Sequence, residues 1–136
     1  LGDQARALAA ANVHYRWLGS LPHEAVRRRI GRAHLLIHPS RMEGGAHVIM
    51  EAACSGTPVL ASRVDGNVGM LGSDYAGYFA HGDVEELARL VLRCRSETDF
   101  MIRLQEQCAA RAHLFSPQRE RATLIGLLTD LTGKQQ

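Results

Sequence analysis

The sequence predicts an α/β domain built around a mostly parallel sheet. Two observations carry this. An apolar run, His34-Leu35-Leu36-Ile37-His38, is closed by Pro39-Ser40, and a second apolar run, Val59-Leu60-Ala61, follows a Gly56-Thr57-Pro58 exit. The segment between them has helical character, so strand, loop, helix and strand follow one another within roughly thirty residues, the size of a βαβ crossover. Such crossovers place their binding loops at the carboxyl ends of the strands.

Taken in order, Asp3 to Ala11 is alanine-rich with apolar residues at helical spacing, and Asn12 is a stop. Val13 to Gly19 alternates apolar and polar residues, which predicts a strand. Ser20-Leu21-Pro22 offers a Ser cap and a Pro near the first turn of a short surface helix. Ala25, Val26, Ile30 and Ala33 form its apolar face, and Arg27-Arg28-Arg29 its wet face. The run from His34 to His38 then reads as a strand buried on both faces. A helix from about Gly45 to Ser55 ends at Gly56, suited to a left-handed cap, and Pro58 forbids its continuation.

Beyond the second strand, Arg63 to Gly77 is expected to be a loop, because Gly66, Gly69, Gly72 and Gly77 interrupt any regular pattern. Tyr78-Phe79-Ala80 reads as a short edge strand. Asp83 caps a helix running toward Arg95, Glu97 to Phe115 forms a second amphipathic helix, and Ser116-Pro117 opens a last one reaching about Leu131.

Composition limits the function. With 136 residues and a formal net charge of +2, the chain fits one domain and gives no electrostatic signal for nucleic acid. Cys54, Cys94 and Cys108 are odd in number and widely spaced, which suits reduced thiols in a cytoplasmic protein; Cys94 and Cys108 fall on helix faces that predict core positions. No histidine stands near them at zinc-binding spacing, so no metal site is expected. No apolar run reaches the length of a membrane span.

The chemistry concentrates between Arg41 and Ser62. Gly44 and Gly45 at a helix start leave backbone N–H groups free to face an anion, at the positive end of the helix dipole. Glu43 precedes that helix and Glu51 lies inside it, about 9 Å apart along the axis at an ordinary helical rise. A carboxylate accepts well from vicinal hydroxyls, so each acid suits a ribose or hexose ring, with an anionic centre on the amides of Gly44, Gly45, Ala46 and His47.

The block from Glu43 to Ser62 resembles the Glu, seven residues, Glu signature of the family-four retaining glycosyltransferases, whose GT-B fold joins two Rossmann-like domains. Trp17-Leu18-Gly19, Pro39-Ser40, Gly77 through Gly82-Asp83, and Phe115-Ser116 fall where the carboxyl-terminal, donor-binding domain of that family has similar features. The resemblance thus covers nearly the whole chain. It implies a Rossmann-like three-layer domain, residues 1–136, that binds a nucleotide-sugar donor, with UDP-sugars as the expected class. It also implies that the domain's first strand, the basic residues that clamp the diphosphate, and an amino-terminal acceptor domain stand upstream of Leu1.

By the resemblance, Glu43 holds or polarises the donor sugar, Glu51 binds the ribose hydroxyls, and the amides of Gly44 to His47 take the diphosphate without a metal or other cofactor. The family usually has Gly-Phe-Gly after the first Glu, whereas this chain has Gly44-Gly45-Ala46; small size is kept, as close approach to phosphate requires. That motif, with Gly66-Asn67-Val68-Gly69-Met70-Leu71-Gly72, looks more like the selenosugar synthases, which couple a UDP-sugar such as UDP-GlcNAc to selenophosphate. Two other readings stand beside this one. The chain could be a non-catalytic nucleotide- or sugar-binding module, or a flavodoxin-like interaction domain. The latter is disfavoured by the absence of an Asp at the end of the first strand.

Overall fold

In the computed structural model, residues 2–42 and 47–133 are described, with side chains to residue 129. The element order is α1 (Gly2–Ala11), α2 (His23–Arg32), β1 (Leu36–His38), α3 (His47–Ser55), β2 (Val59–Ser62), α4 (Asp65–Leu71), β3 (Tyr78–Phe79), α5 (Val84–Ser96), α6 (Thr98–Ala112), a 3-10 turn (His113–Phe115) and α7 (Pro117–Gly133). The three strands form one parallel sheet in the order β1-β2-β3, with Leu36 opposite Val59 and Ala61 opposite Tyr78. The α/β reading therefore holds, in a Rossmann-like form that is mostly helical around a small sheet.

Strand β2 is central, and Val59, Leu60 and Ala61 are fully buried in it. Helix α3 covers β1 and β2 and is itself gripped by α2 and α6. Its buried residues, Ile49, Ala52 and Ala53, recur at helical spacing. The small side chains at 52 and 53 let neighbouring elements approach closely. Phe100, Leu104 and Cys108 mark the matching stripe on α6, four residues apart each time. Burying a side chain the size of Leu60 or Leu104 stabilises the fold by about 2 kcal/mol, so the sheet and these two helices form the stable centre.

Several boundaries follow the local chemistry read from the sequence. Helix α3 ends at Gly56, whose φ of +75° is a left-handed conformation. The Asp83 carboxylate accepts from the Glu86 N–H at 2.8 Å and caps α5. The Ser116 hydroxyl accepts from Arg119 N–H at 3.2 Å at the start of α7. Cys108 is fully buried and Cys94 half-buried against the core, as their helix faces predict.

Four expectations are corrected. Val13 to Gly19 is not a strand: Asn12 Oδ1 accepts from His14 N–H at 2.9 Å, turning the chain, and Val13 is 88% exposed, with no strand among the described residues pairing with it. Helix α2 is not capped by Ser20; Pro22 holds the N-cap position, and its carbonyl accepts from Ala25 and Val26 N–H. Strand β1 is shorter than its apolar run, and as an edge strand it leaves Ile37 exposed. Arg63 to Gly77 contains α4. That helix is held from a distance: the Arg111 guanidinium donates to the carbonyls of Met70 at 2.8 Å and Gly69 at 2.9 Å, a cation at a helix carboxyl end.

Candidate functional site

The carboxyl ends of β1 and β2 are tied together by side-chain bonds. The Ser62 hydroxyl, at the end of β2, donates to the Ser40 carbonyl. Asn67, fully buried on α4, donates through Nδ2 to the Ser62 carbonyl at 2.8 Å and approaches its hydroxyl at 3.3 Å. This network fixes where the chain leaves the sheet toward residue 43. Glu43, Gly44, Gly45 and Ala46 lie outside the described residues.

Helix α3 carries the other two residues singled out from the sequence. His47 is its exposed first residue, and Glu51 stands one turn further on, so both point to one face. Both line a cleft of about 460 Å³ with Met50 and Cys54 of the same helix. Positions 47, 50, 51 and 54 are the i, i+3, i+4, i+7 stripe of α3 opposite to its core stripe. The far wall comes from α2, which contributes His23 and Arg27, and from Phe115 of the 3-10 turn.

Glu51 is the most constrained polar group in the cleft. Its side chain is only 9% exposed, and its Oε1 meets His23 Nε2 at 2.5 Å, whereas His23 is 71% exposed. Withdrawing a carboxylate from water this far is costly unless a polar or cationic group stands against it. Arg27 reaches the exposed Glu24 at 3.4 Å, a loose surface pair that leaves its guanidinium at the rim of the cleft. The site thus combines a hydroxyl-accepting carboxylate, a rim with cationic capacity, and an apolar patch from Met50 and Phe115. It matches a ligand that carries hydroxyls, negative charge and a flat apolar group.

His23, Arg27, Cys54 and Phe115 were not assigned to the site from the sequence. For the first two a signal existed: 23 and 27 are i, i+4 on a predicted helix and share a face. Arg27-Arg28-Arg29 is exposed, as a wet face requires, but it divides: Arg27 turns to the Glu51 cleft, while Arg28 and Arg29 line a separate hollow with Arg32. Phe115 figured in the sequence only as a point of family resemblance, and no spacing pointed it to this cleft, because it arrives from sixty-four positions beyond Glu51 through the packing of α6 on α3.

Burial shifts the titration of groups behind the sheet. The Tyr78 phenol is pushed up to about 12, with desolvation outweighing the nearby charges of Arg63 and Arg111. Tyr75 and the Cys108 thiol are also raised, chiefly by burial. None of these lines the Glu51 cleft. Among the described residues no group of three or more His, Cys, Asp or Glu side chains is placed to hold a metal ion, and no helix is long and apolar enough to cross a membrane.

Comparison with known proteins gives two findings. The family model described as "Glycosyl transferases group 1" matches residues 3–113. A curated relative, the phosphatidylinositol N-acetylglucosaminyltransferase gpi3 subunit of Schizosaccharomyces pombe (strain 972 / ATCC 24843), is 37% identical over 71 residues, which is 52% of this chain and 15% of that protein. The chain therefore aligns with a small part of that relative.

Proposed function

Because the chain belongs to the glycosyl transferases group 1 family, we propose that it is the donor-binding domain of a transferase that uses a nucleotide-diphosphate sugar. Residues 1–136 belong to that domain, and the acceptor is held by a second domain of the same GT-B enzyme. The observation that carries this reading is Glu51: a nearly buried carboxylate that opens on a cleft large enough for a nucleotide and rimmed by Arg27 and His47.

In this reading Glu51 accepts from the ribose hydroxyls, and the amides from Gly44 to His47 take the diphosphate. Donors fixed in that place stabilise the charge that grows on the leaving diphosphate as the glycosidic bond breaks. Glu43 holds the sugar near its anomeric carbon and is not a nucleophile; transfer proceeds with retention on the face the leaving group departs from. No metal or other cofactor is assigned a part.

UDP-GlcNAc is the donor proposed. The name of the S. pombe relative supports N-acetylglucosamine as the sugar, and the Glu43-Gly44-Gly45-Ala46 variant of the signature supports a selenosugar synthase, with selenophosphate as acceptor. The free cysteines suit a cytoplasmic enzyme. Calorimetry with UDP and UDP-GlcNAc tests the core of the proposal on this chain and on Glu51→Ala. Binding by the parent and a loss of at least about tenfold in the variant are expected, since a hydrogen bond to a charged group contributes about 1.5 kcal/mol or more. Equal binding by both, or none by the parent, would overturn it.

A further inference from the structure

We infer that His23 is a positioning residue for Glu51, fixing the carboxylate that receives the ligand's hydroxyls. This rests on the reading of Glu51 as the ribose acceptor and adds a second residue to it. His23 Nε2 lies 2.5 Å from Glu51 Oε1. Only with a hydrogen on Nε2 does an imidazole attract a carboxylate this near.

The contact is built by helix packing and not by a loose loop. His23 is the first residue of α2, and α2 is pinned to the exit of α3: the buried Thr57 hydroxyl donates to the Ile30 carbonyl at 2.8 Å. Gly31 faces Ser55 closely enough that an added Cβ would lie 3.7 Å from its side chain. The first turn of α2 is thereby held over the middle of α3.

The sign of the effect follows from lone-pair arithmetic. An ionised carboxylate offers roughly four acceptor sites, and His23 occupies one. A diol can bind Oε2 and the remaining site of Oε1 without displacing the imidazole. His23 is therefore a partner of the bound ligand and not its competitor, and removing it lets a nearly buried carboxylate rotate away from the hydroxyls. The result is weaker binding, specifically of ligands that carry those hydroxyls.

Calorimetry on the chain with UDP and with its 2′,3′-dideoxy analogue tests this, using the parent, Glu51→Ala, His23→Ala and His23→Gln. The parent is expected to prefer UDP by about tenfold, the value of one hydrogen bond to a charged acceptor, and Glu51→Ala to lose that preference. His23→Ala is expected to weaken UDP by roughly fivefold, as an ordered carboxylate becomes a disordered one, and to leave the analogue within about twofold. His23→Gln, which restores an N–H donor, is expected to recover most of the loss. Equal weakening of both nucleotides by His23→Ala would mean a packing role, and unchanged affinity would mean none; either overturns the inference while a responsive Glu51→Ala keeps the ribose reading. If Glu51→Ala retains the preference for UDP, the ribose reading falls, and the role of His23 with it.

Discussion

The Tyr75 hydroxyl clasps the backbone of Val59 from both sides: it accepts from the Val59 N–H at 3.1 Å and donates to the Val59 carbonyl. Val59 opens the central strand, so one side chain from the segment after α4 satisfies a buried donor and a buried acceptor. Tyr75→Phe would leave both without that partner in a dry interior, at a cost of about 2–4 kcal/mol. Urea unfolding should show the midpoint falling with the slope unchanged. A loss under about 0.5 kcal/mol, the size of an ordinary surface substitution, would show that water or a backbone shift replaces the phenol.

Gly77 is close by and tolerates no side chain. A Cβ there would stand 2.5 Å from the Val59 carbonyl oxygen and 2.7 Å from the Tyr75 ring. Both atoms are themselves fixed, the first in the sheet and the second by its hydroxyl. Gly77→Ala is therefore expected to cost at least about 2 kcal/mol through overpacking, more than Gly69→Ala, where an added Cβ meets nothing within 4 Å. Comparing the two thermal midpoints checks this; equal midpoints would mean the strand can retreat from the new methyl.

Alkaline pH should unfold the chain through its buried phenols. Tyr78 is raised from 10.0 to about 12 by burial, and Tyr75 is raised in the same direction. A group whose folded value lies above its unfolded one favours the folded state fully below the unfolded value. That stabilisation is lost as pH rises from about 10 toward the folded value. The raised Cys108 thiol begins the loss from its ordinary 9.0. Stability should fall steadily between pH 9 and 12, with tyrosinate absorbance appearing together with unfolding, and Tyr75→Phe should flatten the slope. Stability flat over that interval would contradict the direction of these shifts.

How much of this was readable in the sequence depended on how far apart the cooperating residues stand. The βαβ core was readable because its signals are local: the buried run Val59-Leu60-Ala61, the left-handed Gly56 and the cap at Asp83 each decide their own neighbourhood. Helix α4 was not, since Gly66, Gly69 and Gly72 read as breakers while its stabiliser, Arg111, comes from α6, where Gln107 brackets Asp74 and Ala76 in the segment that follows. Val13 to Gly19 failed for the converse reason: its alternation is real, but a strand also needs a neighbour. Of the candidate site, Glu51 and His47 were singled out from the sequence, and both line one cleft. The pairing of Glu51 with His23 depends on how α2 crosses α3, which no single-helix pattern encodes.

The dependence of α4 on Arg111 is itself testable. Its guanidinium serves two carbonyls of the last turn of α4, while Tyr78 Oη lies 2.9 Å from the Gly72 carbonyl. Arg111→Met keeps most of the aliphatic contact and removes both donors, so about 1–2 kcal/mol should be lost. Hydrogen exchange should locate it: the amides of α4 should quicken before those of α3. Uniform acceleration across the chain would mean Arg111 supports the whole fold and not this helix.

The free thiols give a readout of the proposed ligand cleft. Cys54 is exposed and lines the cleft with Glu51, Cys94 is half-buried, and Cys108 is fully buried and raised by desolvation. Alkylation should label Cys54 fastest, Cys94 more slowly and Cys108 only after unfolding, because the thiolate must be both formed and reached. Glu51 and Cys54 are one turn apart on the same face of α3, so a nucleotide on Glu51 covers the approach to the thiol. Saturating UDP should slow labelling of Cys54 by roughly the inverse of the unbound fraction, leave Cys94 unchanged, and lose its effect in Glu51→Ala. Protection that persists in Glu51→Ala would place the nucleotide elsewhere; labelling of Cys54 at one rate with and without UDP, where calorimetry shows binding, would put the ligand outside this cleft.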